Sequence, residues 1–362
     1  TQAKSFLCDT GDKCAIAGRC EAGKCLPEPN GRLFTSTSNR GEDTYLRGWQ
    51  SGPGKYAVVG VSKKWTHPLI YPGQGAIYST PCTFAQVAGG AVFGKDAWAA
   101  TGTATDGKPR VCALSFVNNS LNKKVFEVSL GAAGDKGKAI GMERDAGGFH
   151  FAVVQRTVAS GADDLGVARL NSGGVVQSYE TFVRADRKDQ PRSVTGMDNG
   201  GVAVVGVTQK LQGVYHHGMV ARFGDKGEKL WMWDVGYVGS TDTLADVAQT
   251  SDGGVLAVGS TKPAGAKIRR FLIRMNAKGQ ILWQHNPANA DSTELAAIVP
   301  DGNGTMTLTG KRLINNKYWL VIGRISEAGD TVFERLVELP LGNAEPAAGG
   351  LDKLADGYLV TG

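Results

Sequence analysis

Histidine is scarce in this chain, five among 362 residues, and no apolar run approaches the ~18 residues that a membrane-crossing helix needs. G-x-S-x-G, H-E-x-x-H and the Walker phosphate loop are all missing, which removes the motif-defined serine hydrolases, zinc peptidases and nucleotide hydrolases. Without C-x-x-C-H there is no covalent c-type haem. Charge is mild too. A formal net charge of +6 and a pI near 8.9 over this length do not by themselves require nucleic acid, and the distribution of charge matters more than its sum.

Glycine is abundant, 51 residues, at regular turn positions and without a three-residue collagen period. Six cysteines are present, four of them (Cys8, Cys14, Cys20, Cys25) crowded among Gly, Asp and Lys with no histidine nearby. Zinc would need C-x2-4-C spacing, and the gaps here are mostly wider, so the four are expected to form two disulfides of open connectivity. Cys82 and Cys112 most simply pair with each other and link the first two repeat units. Disulfides place the chain in the periplasm or outside the cell. No basic, apolar leader stands at Thr1, so the chain reads as a mature form whose signal peptide has been removed.

Residues 1–30 are too poor in apolar side chains for a core and depend on their bridges. The spacings Cys8-x-x-Gly11-x-x-Cys14 and Cys20-x-x-Gly23-x-Cys25 resemble short modules of secreted myxobacterial proteins, a resemblance that implies no activity.

A repeat fills the rest. Asp252-Gly-Gly-Val-Leu-Ala-Val-Gly259 is a tight turn running into an apolar strand that ends on glycine, and the closing glycine returns at Gly60, Gly102, Gly206, Gly259, Gly310 and Gly362. The interval from Gly102 to Gly206 is double, and Asp145-Ala-Gly-Gly-Phe-His-Phe-Ala-Val153 fills it with Val153 at the glycine position. Each unit reads as four short strands with glycine-containing hairpin turns, for example Leu244–Thr250, Val255–Gly259, Arg270–Met275 and Gln280–His285. Four strands in ~50 residues, seven times over, predict an all-β chain folded as a single seven-bladed β-propeller over residues 31–362. Residues 242–259 resemble the Asp-Gly-Gly units of secreted bacterial β-propeller repeat families, which imply the fold and are nearly silent on activity. The first unit is short and carries an apolar loop, Trp65-Thr-His-Pro-Leu-Ile-Tyr-Pro72.

The last unit reaches only its second strand at Gly362, and an open sheet edge favours aggregation or partner addition. Gly31–Thr35 resembles the fourth-strand pattern Gly279–Trp283, and Ala3–Leu7 resembles the third-strand pattern Ile268–Leu272. Residues 1–7 and 31–35 are therefore expected to complete the closing blade around the cysteine segment. The other outcomes are a chain that continues past Gly362, or self-assembly through that blade.

Two constellations carry the candidate sites. Seventeen residues before the closing glycine stand Asp43, Asp189, Asp242 and Glu345, with Asp135 and Asp291 close to the corresponding places, an acidic ring at one mouth of the channel. It can hold a divalent cation through oxygen ligands, or each Asp can accept hydrogen bonds from its own turn. On the same face, loops between second and third strands gather Lys262, Lys267, Arg269, Arg270, Lys311, Arg312 and Lys317 on adjacent fifth and sixth blades. This basic rim suits an acidic protein or an anionic surface component, or is simply solvated. Nucleic acid ranks last, since only Tyr318 and Trp319 offer stacking.

His216 and His217 point opposite ways on a strand and read as surface histidines. Trp231, Trp233 and Trp283 read as packing between sheets. The turn Asn276-x-x-Gly279-x-x-x-Trp283 is similar to the tryptophan-docking repeat of quinoprotein dehydrogenases, but its spacing is one residue short and the adjacent cysteine pair is absent, so no PQQ is expected. The resulting expectation is an exported binding or assembly module without a resident cofactor. The alternative is a lyase or hydrolase working at the channel mouth with the carboxylate ring and a metal.

Overall fold

The computed structural model describes residues 82–92, 97–117, 121–132, 134–157, 163–285, 292–338, 350–354 and 357–360, together with strand backbone at 6–7, 18–21, 24–27, 43–52, 55–62 and 65–70. Among these residues every regular element is a strand. β1 (Phe6–Leu7), β2 (Gly18–Glu21) and β3 (Lys24–Pro27) form a small sheet of order β1-β3-β2. β4 (Asp43–Gly52), β5 (Lys55–Ser62) and β6 (Trp65–Ile70) form a three-stranded sheet.

Five four-stranded antiparallel meanders follow. They are β7 (Gln86–Val92), β8 (Ala97–Thr103), β9 (Pro109–Val117) and β10 (Leu121–Ser129), then β11 (Lys136–Arg144), β12 (His150–Thr157), β13 (Asp163–Leu170) and β14 (Val176–Phe182). Next come β15 (Arg187–Gly196), β16 (Val202–Lys210), β17 (His216–Phe223) and β18 (Lys229–Val235), then β19 (Ser240–Gln249), β20 (Val255–Pro263), β21 (Arg269–Met275) and β22 (Ile281–His285). β23 (Ser292–Pro300), β24 (Thr305–Ile314), β25 (Lys317–Ser326) and β26 (Thr331–Glu338) complete the five, and β27 (Leu351–Leu354) pairs with β28 (Gly357–Val360). First strands touch in succession from β4 through β7, β11, β15, β19 and β23 to β27, and β27 touches β4. The succession closes on itself.

Adjacent sheets pack face to face, which explains the composition of the second strands. β16 is buried from Val202 to Thr208 because a neighbouring sheet covers each of its faces, so it reads as a continuous apolar run where a half-exposed strand would alternate. One core cluster joins Val205 and Val220 to Leu244, Ala257 and Phe271, and the next joins Leu256 and Leu272 to Leu295 and Leu308. Fourth strands are half-exposed and sit at the rim.

The repeated glycine does not end a strand. β20 runs through Gly259 to Pro263, and β16 runs through Gly206 to Lys210. The reason for the glycine lies on the paired first strand, which carries a bulge opposite it: between Leu244 and Asp246 opposite Gly259, Pro191 and Ser193 opposite Gly206, Leu295 and Ala297 opposite Gly310, Val87 and Gly89 opposite Gly102. A bulge inserts an unpaired residue and sharpens the local twist. At Gly259 a Cβ would lie 2.0 Å from the Thr243 carbonyl oxygen, and at Gly206 it would lie 2.1 Å from that of Gln190. Only glycine lets the two backbones approach so closely.

The same register corrects the unmarked copy. Its bulge, between Ala139 and Gly141, faces Val154 and not Val153, so no second-strand glycine stands opposite it; a separate close approach lies further along the ladder, where Gly137 pairs with Arg156 and its Cβ would lie 2.1 Å from the Gln155 carbonyl oxygen.

Three further expectations change. Trp65–Ile70 is the strand β6 and not a loop. Phe6–Leu7 pairs with Lys24 and Cys25, so it belongs to the N-terminal sheet instead of the sheet of β27 and β28; a partner some twenty residues away costs less chain entropy than one at the far end of the sequence. Residues 31–35 and 361–362 lie outside the described residues. The Cys82–Cys112 disulfide is formed, but it ties the segment leading into β7 to β9 of the same sheet and does not cross between sheets. Strand register sets Cys20 opposite Cys25; the bridges of the cysteine segment lie outside the described residues.

Candidate functional site

Each first strand begins at the face where second strands end, so the strand-opening carboxylates and the loops after the second strands share that face. Asp43 opens β4, where only backbone is described; Asp291 and Glu345 lie outside the described residues. The remaining three are buried and engaged. Asp135 accepts the Ala132 N–H at 2.9 Å and pairs with Arg156 Nε at 3.0 Å. Asp189 takes a two-pronged contact from Arg184, with Nε to Oδ2 at 2.8 Å, and Arg184 also reaches Asp234. Burial opposes the charge on Arg184, but Asp189 and Asp234 outweigh it and push its pKa up.

Asp242 accepts the Tyr237 N–H at 2.9 Å and the Ser240 hydroxyl at 2.7 Å, both on Oδ2, while its buried Oδ1 has no hydrogen bond. His217 Nδ1 stands 3.7 Å from the same Oδ2. Thus Asp135 and Asp242 fasten the turns that precede their strands, and Asp189 fastens Arg184. At the corresponding place in β23 stands Thr293, which accepts from Arg312 Nε at 2.9 Å. Asp164, beside Arg156, is also buried; burial pushes its carboxyl up while Arg156 pulls it down. Among the described residues no group of three or more His, Cys, Asp or Glu is gathered closely enough to hold a metal ion.

The seven predicted cations lie on the adjacent β19–β22 and β23–β26 sheets, and not on loops as expected: Lys262 is in β20, Arg269 and Arg270 in β21, Lys311 and Arg312 in β24 and Lys317 in β25, because these strands run on past the repeated glycine, and Lys267 alone lies between strands. Glu334 on β26 is gripped from both sides, by Arg270 Nη1 of the neighbouring sheet at 2.7 Å and by Arg312 Nη2 of its own sheet at 2.6 Å. Lys311 lies 3.6 Å from Glu294, and Lys317 pairs with Glu338. Among the described residues, Glu294, Glu334 and Glu338 thus pair with four of the seven cations, Arg270, Lys311, Arg312 and Lys317. Among the described residues Lys262, which is exposed, and Arg269 form no ion pair.

Between these sheets runs a cleft of about 350 Å³ lined by Arg270, Leu272, Gln284, His285, Leu308, Ile325, Gly329 and Thr331. At its other end the interface is held by Glu327. Its carboxylate accepts the Ser251 N–H at 2.8 Å and the Ser251 hydroxyl at 2.7 Å, and its carbonyl accepts Arg274 Nη1 at 2.7 Å and Trp283 Nε1 at 3.0 Å. Trp231 Nε1 makes the equivalent bond one sheet earlier, to the Ala277 carbonyl at 3.1 Å, and Trp231 and Trp233 both crowd Gly279. These tryptophans clasp neighbouring sheets.

A second series, on the opposite face, escaped the sequence reading. Arg169, Arg222, Arg274 and Arg324 occupy matching places on third strands, and each reaches the first hairpin turn of its own sheet. Arg169 lies over Phe149, Arg222 bonds the Gly200 carbonyl and Asn199, Arg274 pairs with Asp252 at 2.9 Å, and Arg324 pairs with Asp301 at 2.8 Å. Burial lowers the Arg222 pKa to about 10. For Asp252, burial is outweighed by the Thr250 hydroxyl, the Gly254 N–H and Arg274, which hold its carboxyl low. The Asp of Asp-Gly-Gly is thus a turn fastener. A signal existed: each arginine lies five residues before the positive-φ glycine of the next turn, at Gly174, Gly227, Gly279 and Gly329.

No family model matches the chain, and no curated protein matches it. Solved structures do. A catalytically inactive virginiamycin B lyase from Staphylococcus aureus with quinupristin is similar over 89% of this chain and 93% of that one, at 13% identity and a TM-score of 0.53. A protein of unknown function from Dyadobacter fermentans (10% identity, 88% and 90% covered, TM-score 0.48) and a periplasmic gluconolactonase from Pseudomonas aeruginosa (11% identity, 81% and 82% covered, TM-score 0.47) are also similar. At such identities the likeness is one of fold alone, and the fold that this chain shares with the lyase is the β-propeller.

Proposed function

We propose that the chain is an exported seven-bladed β-propeller that works as a binding module, presenting the basic sector of its fifth and sixth blades to a polyanionic surface component or an acidic protein. The observation that carries this reading is the set of seven cations at one face of two adjacent sheets, of which Lys262 and Arg269 form no ion pair among the described residues. Unpaired cations keep their field available to a partner, whereas Arg312 and Arg270 spend part of theirs on Glu334. The Cys82–Cys112 bridge fits a life in an oxidising compartment.

The test is retention on an immobilised sulfated polysaccharide over a salt series. The native protein is expected to bind at low salt and to release as ionic strength rises, since exposed charges are screened beyond ~10 Å at 0.1 M salt. The double variant Lys262→Glu with Arg269→Glu is expected to bind at least about tenfold more weakly. Binding that is indifferent to both salt and the double variant removes the proposal.

A further inference from the structure

We infer that the cleft between the β19–β22 and β23–β26 sheets is a binding site for a small carboxylate with a compact aliphatic body, and that Glu334 is the internal anion such a ligand competes with. The inference deepens the binding reading above and rests on the same sector, sharing Arg270 with it and differing in the rest of its lining.

The cleft, at about 350 Å³, falls at the lower end of the range for small-molecule sites. Leu272, Leu308 and Ile325 supply its apolar wall, and Arg270, Gln284, His285 and Thr331 its polar groups. That division suits a ligand with one charged end. Its sign is set by Arg270. A guanidinium offers five N–H donors in a fork that matches a carboxylate. Arg270 commits Nη1 to Glu334 at 2.7 Å, and its buried Nε has no hydrogen-bond partner. A buried donor left unsatisfied costs roughly 1–3 kcal/mol.

Glu334 is shared as well. Its two oxygens divide between Arg270 and Arg312, so among the described residues one carboxylate serves two guanidiniums. Arg312 is secured independently by Thr293, which leaves Arg270 as the arm able to exchange partners. The walls are framed by the Glu327 cluster at the other end, where Trp283 and His285 crowd Gly329. A ligand can therefore fill the cleft without parting the sheets.

The experiment is calorimetric titration of the full chain with octanoate, repeated with 1-octanol, and read in parallel with retention on the sulfated polysaccharide. Octanoate is expected to bind, and 1-octanol at least tenfold more weakly. Arg270→Gln is expected to weaken octanoate at least tenfold, while Glu334→Gln, which removes the competitor, tightens it several-fold. A purely structural ion cluster would not move the two variants in opposite directions. No octanoate binding by the native protein, equal binding of 1-octanol, or the same sign for both variants each overturns the inference. Polyanion retention that survives Arg270→Gln but is lost with Lys262→Glu and Arg269→Glu separates its failure from that of the surface reading.

Discussion

Replacing Gly259 with alanine tests the physical origin of the repeat. The new Cβ would sit 2.0 Å from the Thr243 carbonyl oxygen and 2.8 Å from Leu244 Cα, both backbone atoms that no rotamer change can move. To admit it, β19 and β20 must separate at the bulge. Overpacking costs about 1–3 kcal/mol, and each ladder hydrogen bond disturbed adds roughly 1 kcal/mol. Against this stands a gain of only ~0.4–1 kcal/mol from a less flexible unfolded chain. The net expectation is a loss of about 3 kcal/mol. Gly253→Ala is the control, because Gly253 sits at φ +77° with nothing near its would-be Cβ, so its cost is the left-handed backbone term alone, about 1–2 kcal/mol. Urea unfolding of both variants, with hydrogen exchange on the β19–β20 amides, measures the difference. If Gly259→Ala costs no more than Gly253→Ala, close approach at the bulge is not why the glycine recurs.

Two other outcomes are expected. Removing the Cys82–Cys112 bridge by a double serine substitution opens a loop with a sequence separation of 30 and should cost ~3.5 kcal/mol on the chain-entropy relation, seen as a lowered urea midpoint; an unchanged midpoint would show that the bridge constrains nothing. His150 has its pKa lowered, by burial first and by Arg144 second, against a smaller opposing pull from Asp145. Below about pH 6.5 the unfolded chain therefore binds more protons at this position than the folded one, so the stability His150 contributes is complete above that pH and falls away as the solution is acidified. His150→Gln should flatten the dependence of Tm on pH in that window, and an undiminished slope would assign it to another group.

Much of the fold was legible because the repeat is written in backbone chemistry. A bulge facing glycine recurs at Gly102, Gly206, Gly259 and Gly310, and a missing side chain leaves its mark in any sequence. What the sequence could not show is where the unmarked copy places its bulge. Between Gly102 and Gly206 only the register reveals that the bulge faces Val154, with no glycine opposite it. The third-strand arginines were missed for a related reason. Counted from the strand glycine they drift, since the intervening loops differ in length, as between Gly206 and Arg222 or Gly310 and Arg324. Counted back from the next turn glycine they are fixed.

The candidate site was legible in its residue types and not in its partners. Charge along a chain marks where cations cluster in sequence, but whether they face water or a carboxylate depends on contacts between sheets. Glu334 follows Arg270 by 64 residues, and no local pattern couples them; the packing of β26 beside β21 does. The acidic ring fails the same way, because Asp189 and Asp242 look alike in sequence, yet one is held by Arg184 and the other by a backbone turn beside His217. A propeller multiplies such pairings between neighbours while keeping each unit's pattern constant. Its specificity therefore resides in the seams between sheets, and the seam that holds Glu334 at one end and Glu327 at the other is where a ligand would be read.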